Sequence, residues 1–153
     1  MSLTVFLDSG PLSLLTSPNK TSETLAAAQW LIAMRLAGHR IIVPAIADFE
    51  VRRELIRAGK PRSVARLDAF NTASPDRLLS VTNSALRLAA SFWAQSRNAG
   101  TPTADPKELN SDVLIAAQAA DSGIPTTDFV VATTNVGHLA LFVPADLWNN
   151  IEP

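Results

Sequence analysis

Apolar residues in this chain fall into short runs, separated by longer stretches whose apolar positions recur with a helical period. Residues 4–7 form a strand-like apolar run that stops at Asp8-Ser9-Gly10-Pro11, a cluster of turn residues. Thr21 suits a helix N-cap. The Ala- and Leu-rich stretch after it reaches Ala37 before Gly38, a residue type favoured just past a helix end, so a helix is predicted between them. Residues 40–43 (RIIV) predict a second strand, residues 46–57 a helix through Phe49, Val51 and Leu55, and residues 63–70 another. A third strand is expected at 78–81 and a helix at 84–97. The polar segment 101–110, with two prolines, reads as loop. Ser111 opens the nearly all-apolar helix DVLIAAQAAD, which Gly123-Ile124-Pro125 ends. Residues 129–132 (FVVA) predict a fourth strand and 140–143 a fifth.

Short apolar strands alternating with helices require crossover connections, hence parallel pairing with helices on both faces of one sheet. The expected fold is a three-layer α/β/α sandwich with a mainly parallel sheet of four to five strands. At 153 residues it is expected to form a single domain, 1–153. In such sheets ligands gather outside the carboxyl ends of the strands.

Composition narrows the chemistry. The absence of cysteine excludes disulfides, a thiolate nucleophile, iron–sulfur clusters and cysteine-ligated zinc. His39 and His138 are too far apart for an HExxH motif, so any metal must be held mainly by oxygen ligands, which select magnesium, manganese or calcium. A net charge of −1 excludes a strongly basic nucleic-acid binder but leaves room for a local basic patch. No run approaches the roughly 18 apolar residues that a membrane span needs. The start, MSLTVFLDSG, lacks the features of a signal peptide, so a soluble, cytoplasmic protein is expected.

Three acids fall where this fold would gather a ligand. Asp8 ends the first strand, where a turn or cap role is the plain alternative. Glu50 lies about one turn into the helix after the second strand, with Glu54 an equal candidate one turn later. Asp112 heads the apolar helix, where capping explains it equally well. Carboxylates this close repel unless a cation sits among them, and magnesium or manganese resolves the conflict most simply.

FLDSG around Asp8, IVPAIADFEVRREL around Glu50, DVLIAAQA from Asp112 and VVATTNVGHL around Asn135 together resemble the PIN-domain ribonucleases, in particular toxins of the VapC kind. Each motif is weak alone, but the four occur in the family's order across nearly the whole chain. The resemblance implies that Asp8, Glu50 and Asp112 hold one or two Mg2+ or Mn2+ ions. It places the family's fourth position, often aspartate, on Asn135 of Thr133-Thr134-Asn135. An asparagine there offers a neutral oxygen and removes one negative charge. Asp128 precedes the FVVA strand, on the order of 20 Å from Asn135 at about 3.3 Å per residue, and so belongs to the other edge of the sheet. Asp105 is a reserve ligand, and Ser9 and Thr133 read as supporting hydroxyls or turn residues. Without a GxSxG elbow or a recognisable triad, metal-activated water is the expected nucleophile.

Six of the 13 Lys and Arg residues lie between Arg52 and Arg66. They are either solvated helix faces or, beginning with Arg52, Arg53 and Arg57 beside Glu50, a lead for the phosphate backbone of RNA. The expected function is a metal-dependent endoribonuclease, the toxin of a toxin-antitoxin pair. The resemblance implies a small antitoxin partner and a homodimer. The alternative is a PIN-like RNA-binding or scaffolding module with little catalysis, suggested by Asn135. A phosphoacceptor domain fits poorly, because Asp8 has no adjacent acid.

Overall fold

The computed structural model describes residues 2–99 and 106–153. Five parallel strands, β1 (Thr4–Leu7), β2 (Arg40–Pro44), β3 (Leu78–Leu79), β4 (Phe129–Thr133) and β5 (Ala145–Leu147), stand in the order β3-β2-β1-β4-β5. The helices are α1 (Ser9–Thr16), α2 (Ser22–Leu36), α3 (Ala45–Arg57), α4 (Pro61–Thr72), α5 (Asn83–Asn98) and α6 (Pro106–Ala120). The architecture is the expected α/β sandwich. All of β1 is buried, as β-rich apolar runs covered on both faces must be, and its Phe6 meets Phe129 of β4 edge to face at 5.5 Å between ring centroids.

Local signals explain most boundaries. Thr21 and Thr24 form a reciprocal capping box at the start of α2, and Gly38, at φ 88°, turns the chain out of it. Trp30 and Trp148 pack together, and the indole of Trp30 donates to the Ile151 carbonyl at 2.9 Å. Pro44 precedes α3 and cannot cap it with a side chain. The buried amide of Gln118 in α6 serves instead: its Oε1 accepts from the Ile46 N–H at 3.1 Å and its Nε2 donates to the Leu79 carbonyl at 2.9 Å. One buried side chain thus fixes α6 against the start of α3 and the end of β3.

The structure corrects three boundaries. The Asp8–Pro11 cluster is a helix start, because Asp8 in extended backbone caps α1 and Pro11 falls in the first turn, where its missing N–H costs nothing. The apolar helix begins at Pro106, not Ser111, so Asp112 lies in its second turn and caps nothing. Residues 140–143 are not a strand. Gly137, at φ 39°, bends the chain, Leu139–Leu141 form a 3₁₀ turn pinned by the fully buried Leu139, and the fifth strand follows Pro144. Among the described residues, no helix is long and apolar enough to cross a membrane.

Candidate active site

The strand order reverses at β1, flanked by β2 and β4, the kind of position at which open parallel sheets form ligand crevices. Asp8 leaves the carboxyl end of β1 there. Its Oδ1 accepts from the Ser9 N–H at 2.7 Å, and its Oδ2 accepts from the Thr133 hydroxyl, also at 2.7 Å. Thr133, the last residue of β4, is fully buried, and its Oγ1 accepts in turn from the Asn135 N–H at 3.1 Å. The turn after β4 is therefore tied to Asp8 through a single hydroxyl. Gly10 permits this approach: a Cβ on it would meet the side chain of Thr134, with Cγ2 at 2.7 Å.

Glu50 and Asp112 reach the same field from α3 and α6. The Glu50 side chain is 15% exposed and stands 4.0 Å from the guanidinium of Arg53, while its Oε1 is buried without a partner. Asp112 Oδ2 faces His138 Nδ1 at 3.3 Å. Burial raises the pKa of all three acids above the ordinary carboxylate value. For Asp8 the hydrogen bonds of Thr133 and Ser9 oppose the rise. The negative charge of Asp8 adds to the burial of Glu50 and of Asp112, and Asp112 is pushed up to about 6 despite His138. The orphaned oxygen and the mutual repulsion fit a divalent cation, which would satisfy one and relieve the other.

Burial, joined at Glu50 and Asp112 by this repulsion, gives the acids a measurable pH dependence. Between the ordinary carboxylate value near 4 and the raised values, the folded protein binds more protons than the unfolded chain, so stability falls as pH rises through that window. Calorimetric melting without divalent ions should give a higher Tm at pH 5 than at pH 7, and excess Mn2+ should remove most of the difference. A metal-free Tm that climbs from pH 5 to pH 7 would contradict the arrangement.

The structure separates Glu50 from Glu54, since Glu54 is 59% exposed and paired with Arg57 at 2.8 Å, away from the other acids. Asn135 enters the network through its backbone, while its side chain is exposed and packs beside Gly137. Ser9 contributes its amide as the first residue of α1. Asp105 lies outside the described residues. Asp128 sits at the amino end of β1, its carbonyl accepting from the Thr4 N–H at 2.9 Å. Of the arginines, Arg52 clamps α3 to α4 through Asp48 and Asp68, at 3.0 and 2.6 Å, Arg57 holds Glu54, and Arg53 alone stands beside a site acid. His138 was invisible in the sequence, because nothing local marks a turn histidine as the partner of an acid 26 residues earlier. Among the described residues, no three His, Asp or Glu side chains are gathered closely enough to ligate one ion directly.

No protein-family model and no curated protein matches the chain. Solved structures do. A chain of the FitAcB crystal structure from Neisseria gonorrhoeae is similar, with a TM-score of 0.67 at 20% identity, covering 96% of this chain and 99% of that one. A chain of the DNA-bound VapBC structure from Salmonella typhimurium gives 0.68 at 19% identity over 95% and 98%. The VapBC-1 structure from nontypeable Haemophilus influenzae gives 0.60 at 15% identity over 96% and 99%. These likenesses span the whole chain and show that its fold is the one found in those complexes.

Proposed function

We propose that the protein is a divalent-metal-dependent endoribonuclease and the toxin of a toxin-antitoxin pair. The observation that carries the reading is that Asp8, Glu50 and Asp112, from three separate elements, share one partly buried field in which each is held above its ordinary pKa. Asp8, Glu50 and Asp112 would hold Mg2+ or Mn2+, which when bound supplies Lewis acidity and a water activated for phosphodiester hydrolysis. Magnesium commonly keeps several of its waters, so it can be held without all three carboxylates ligating it directly. Thr133 and the Ser9 amide fix both oxygens of Asp8, and His138 restrains Asp112. Arg53, about half exposed beside Glu50, is the arginine best placed to meet an RNA phosphate.

Partners follow the same reading. A small antitoxin would cover the acidic edge, in keeping with the VapBC and FitAB complexes that share the fold. A second copy would bury the apolar recess of about 420 Å³ between α5 and α6, where Leu86 and Trp93 are exposed. Expression of the chain alone in a bacterial host should arrest growth, and Asp8→Asn should abolish the arrest. Unimpaired growth with soluble wild-type protein present would count against a toxin.

The exposed Asn135 side chain and the looseness of the acid group favour a second reading, an RNA-binding module with little catalysis. The two readings diverge at Asn135→Asp. If this turn faces the metal, the added carboxylate tightens Mn2+ binding in a calorimetric titration, whereas Asp128→Asn, at the far edge, leaves it unchanged. Affinity that follows Asp128 and ignores Asn135 would overturn the strand-end argument.

A further inference from the structure

At the opposite edge of the sheet, a recess of about 250 Å³ is lined by Arg35, Gly38, His39, Arg40, Ile41, Ser74, Pro75 and Arg77, with no acid in its wall. Among the described residues none of these three arginines has a carboxylate within ion-pair distance, in contrast to Arg52, Arg53 and Arg57. Arg77 is only 4% exposed, yet its Nε–H is buried without a partner. Its Nη1 donates to the Phe70 carbonyl at 3.1 Å and its guanidinium lies over the Phe70 ring at 4.6 Å, so the group is held firmly while one donor stays unused. Burial, and then the positive charge of Arg35, lowers the pKa of Arg77, an electrostatic cost that no carboxylate among the described residues offsets at ion-pair distance. His39 adds a donor, because its Nδ1 accepts from the Leu3 N–H at 3.0 Å and the proton must then sit on Nε2.

We propose that the recess bounded by Arg35, His39, Arg40 and Arg77 is a binding site for a phosphate group, separate from the acidic edge. Several guanidinium forks around one small recess match the divergent, multiply charged oxygens of phosphate. The group could arrive as free phosphate or as the terminal phosphate of an RNA fragment, and both use the same donors.

The test follows the Arg77 Nε–Hε resonance by NMR in EDTA at constant ionic strength, first with inorganic phosphate against chloride. Phosphate should move the resonance saturably, and Arg35→Gln/Arg40→Gln, at two exposed positions, should weaken phosphate at least tenfold while leaving Mn2+ binding intact. Arg77→Lys is the harsher variant, and the double variant keeps the test valid if that one fails to fold. A ribotetranucleotide with a 5′-phosphate that binds more tightly than both its 5′-hydroxyl form and free phosphate assigns the site to RNA ends. Equal binding of free phosphate assigns it to the small anion. A shift matched by chloride, absent altogether, or untouched by the double variant overturns the site.

Discussion

Asp8→Asn and Asp112→Asn are each expected to leave a folded protein that has lost Mn2+ affinity and RNA cleavage. Asparagine caps a helix as well as aspartate does, so α1 keeps its start, and its side-chain oxygen can still accept from the Ser9 N–H. At Asp112 the substitution removes a charge that burial and Asp8 already oppose, so metal-free stability at pH 7 should hold or rise. The loss falls on the cation instead. Removing a ligating carboxylate should exceed the roughly 10- to 100-fold loss typical of changes around, rather than at, a metal ligand. Titration calorimetry with Mn2+, beside circular dichroism to confirm the fold, reads both halves. Near-wild-type affinity in both variants would remove these acids from the site. Glu50→Gln should behave like them, and Glu54→Gln should be nearly silent because Glu54 pairs with Arg57 in solvent.

Thr133→Val should destabilise the protein by about 1.5–3 kcal/mol, the range for a hydrogen bond to a charged group, or roughly 5–10 °C in Tm. Valine fills the same buried space but leaves Asp8 Oδ2 and the Asn135 N–H without their shared partner. The Thr133 hydroxyl lowers the pKa of Asp8 by stabilising its charged form. Its contribution is therefore present where Asp8 is ionised and fades as falling pH protonates it, so the gap between wild type and variant should narrow in acid. Thr133→Ser keeps the hydroxyl and should remain close to wild type. A pH-independent loss shared by both substitutions would mean that packing alone matters at this position.

What the sequence disclosed tracks how local the cause was. Helix α2 could be read from Thr21 and Gly38 because capping and a left-handed turn act over one or two residues. The parallel sheet followed from apolar runs such as FVVA, buried on both faces. Helix α1 was hidden because Gly10 and Pro11 look like turn residues when the tertiary approach of Thr134 and the cap on Asp8 are out of view. The start of α6 carried a usable signal, proline at a first helical position, that the surrounding polar residues masked. The strand β5 has three half-buried residues and no period to detect. Within the site, strand ends and helix spacing pointed to Asp8, Asp112 and either Glu50 or Glu54; the family resemblance chose Glu50, burial gives that choice a physical reason, and the contact of His138 with Asp112 needed the fold. The buried Arg77 was equally unreadable, since one arginine before a two-residue strand looks like any surface cation.

The proposed function stands or falls on whether these acids form a metal-dependent nuclease centre. Its most direct test is the cleavage of a mixed-sequence RNA by the purified protein, with Mn2+ added against EDTA and with Asp112→Asn beside wild type. Cleavage should appear with Mn2+, disappear with EDTA and be absent from the variant. RNA that stays intact with every divalent metal while still binding the protein, or cleavage indifferent to EDTA and to Asp112, would contradict it.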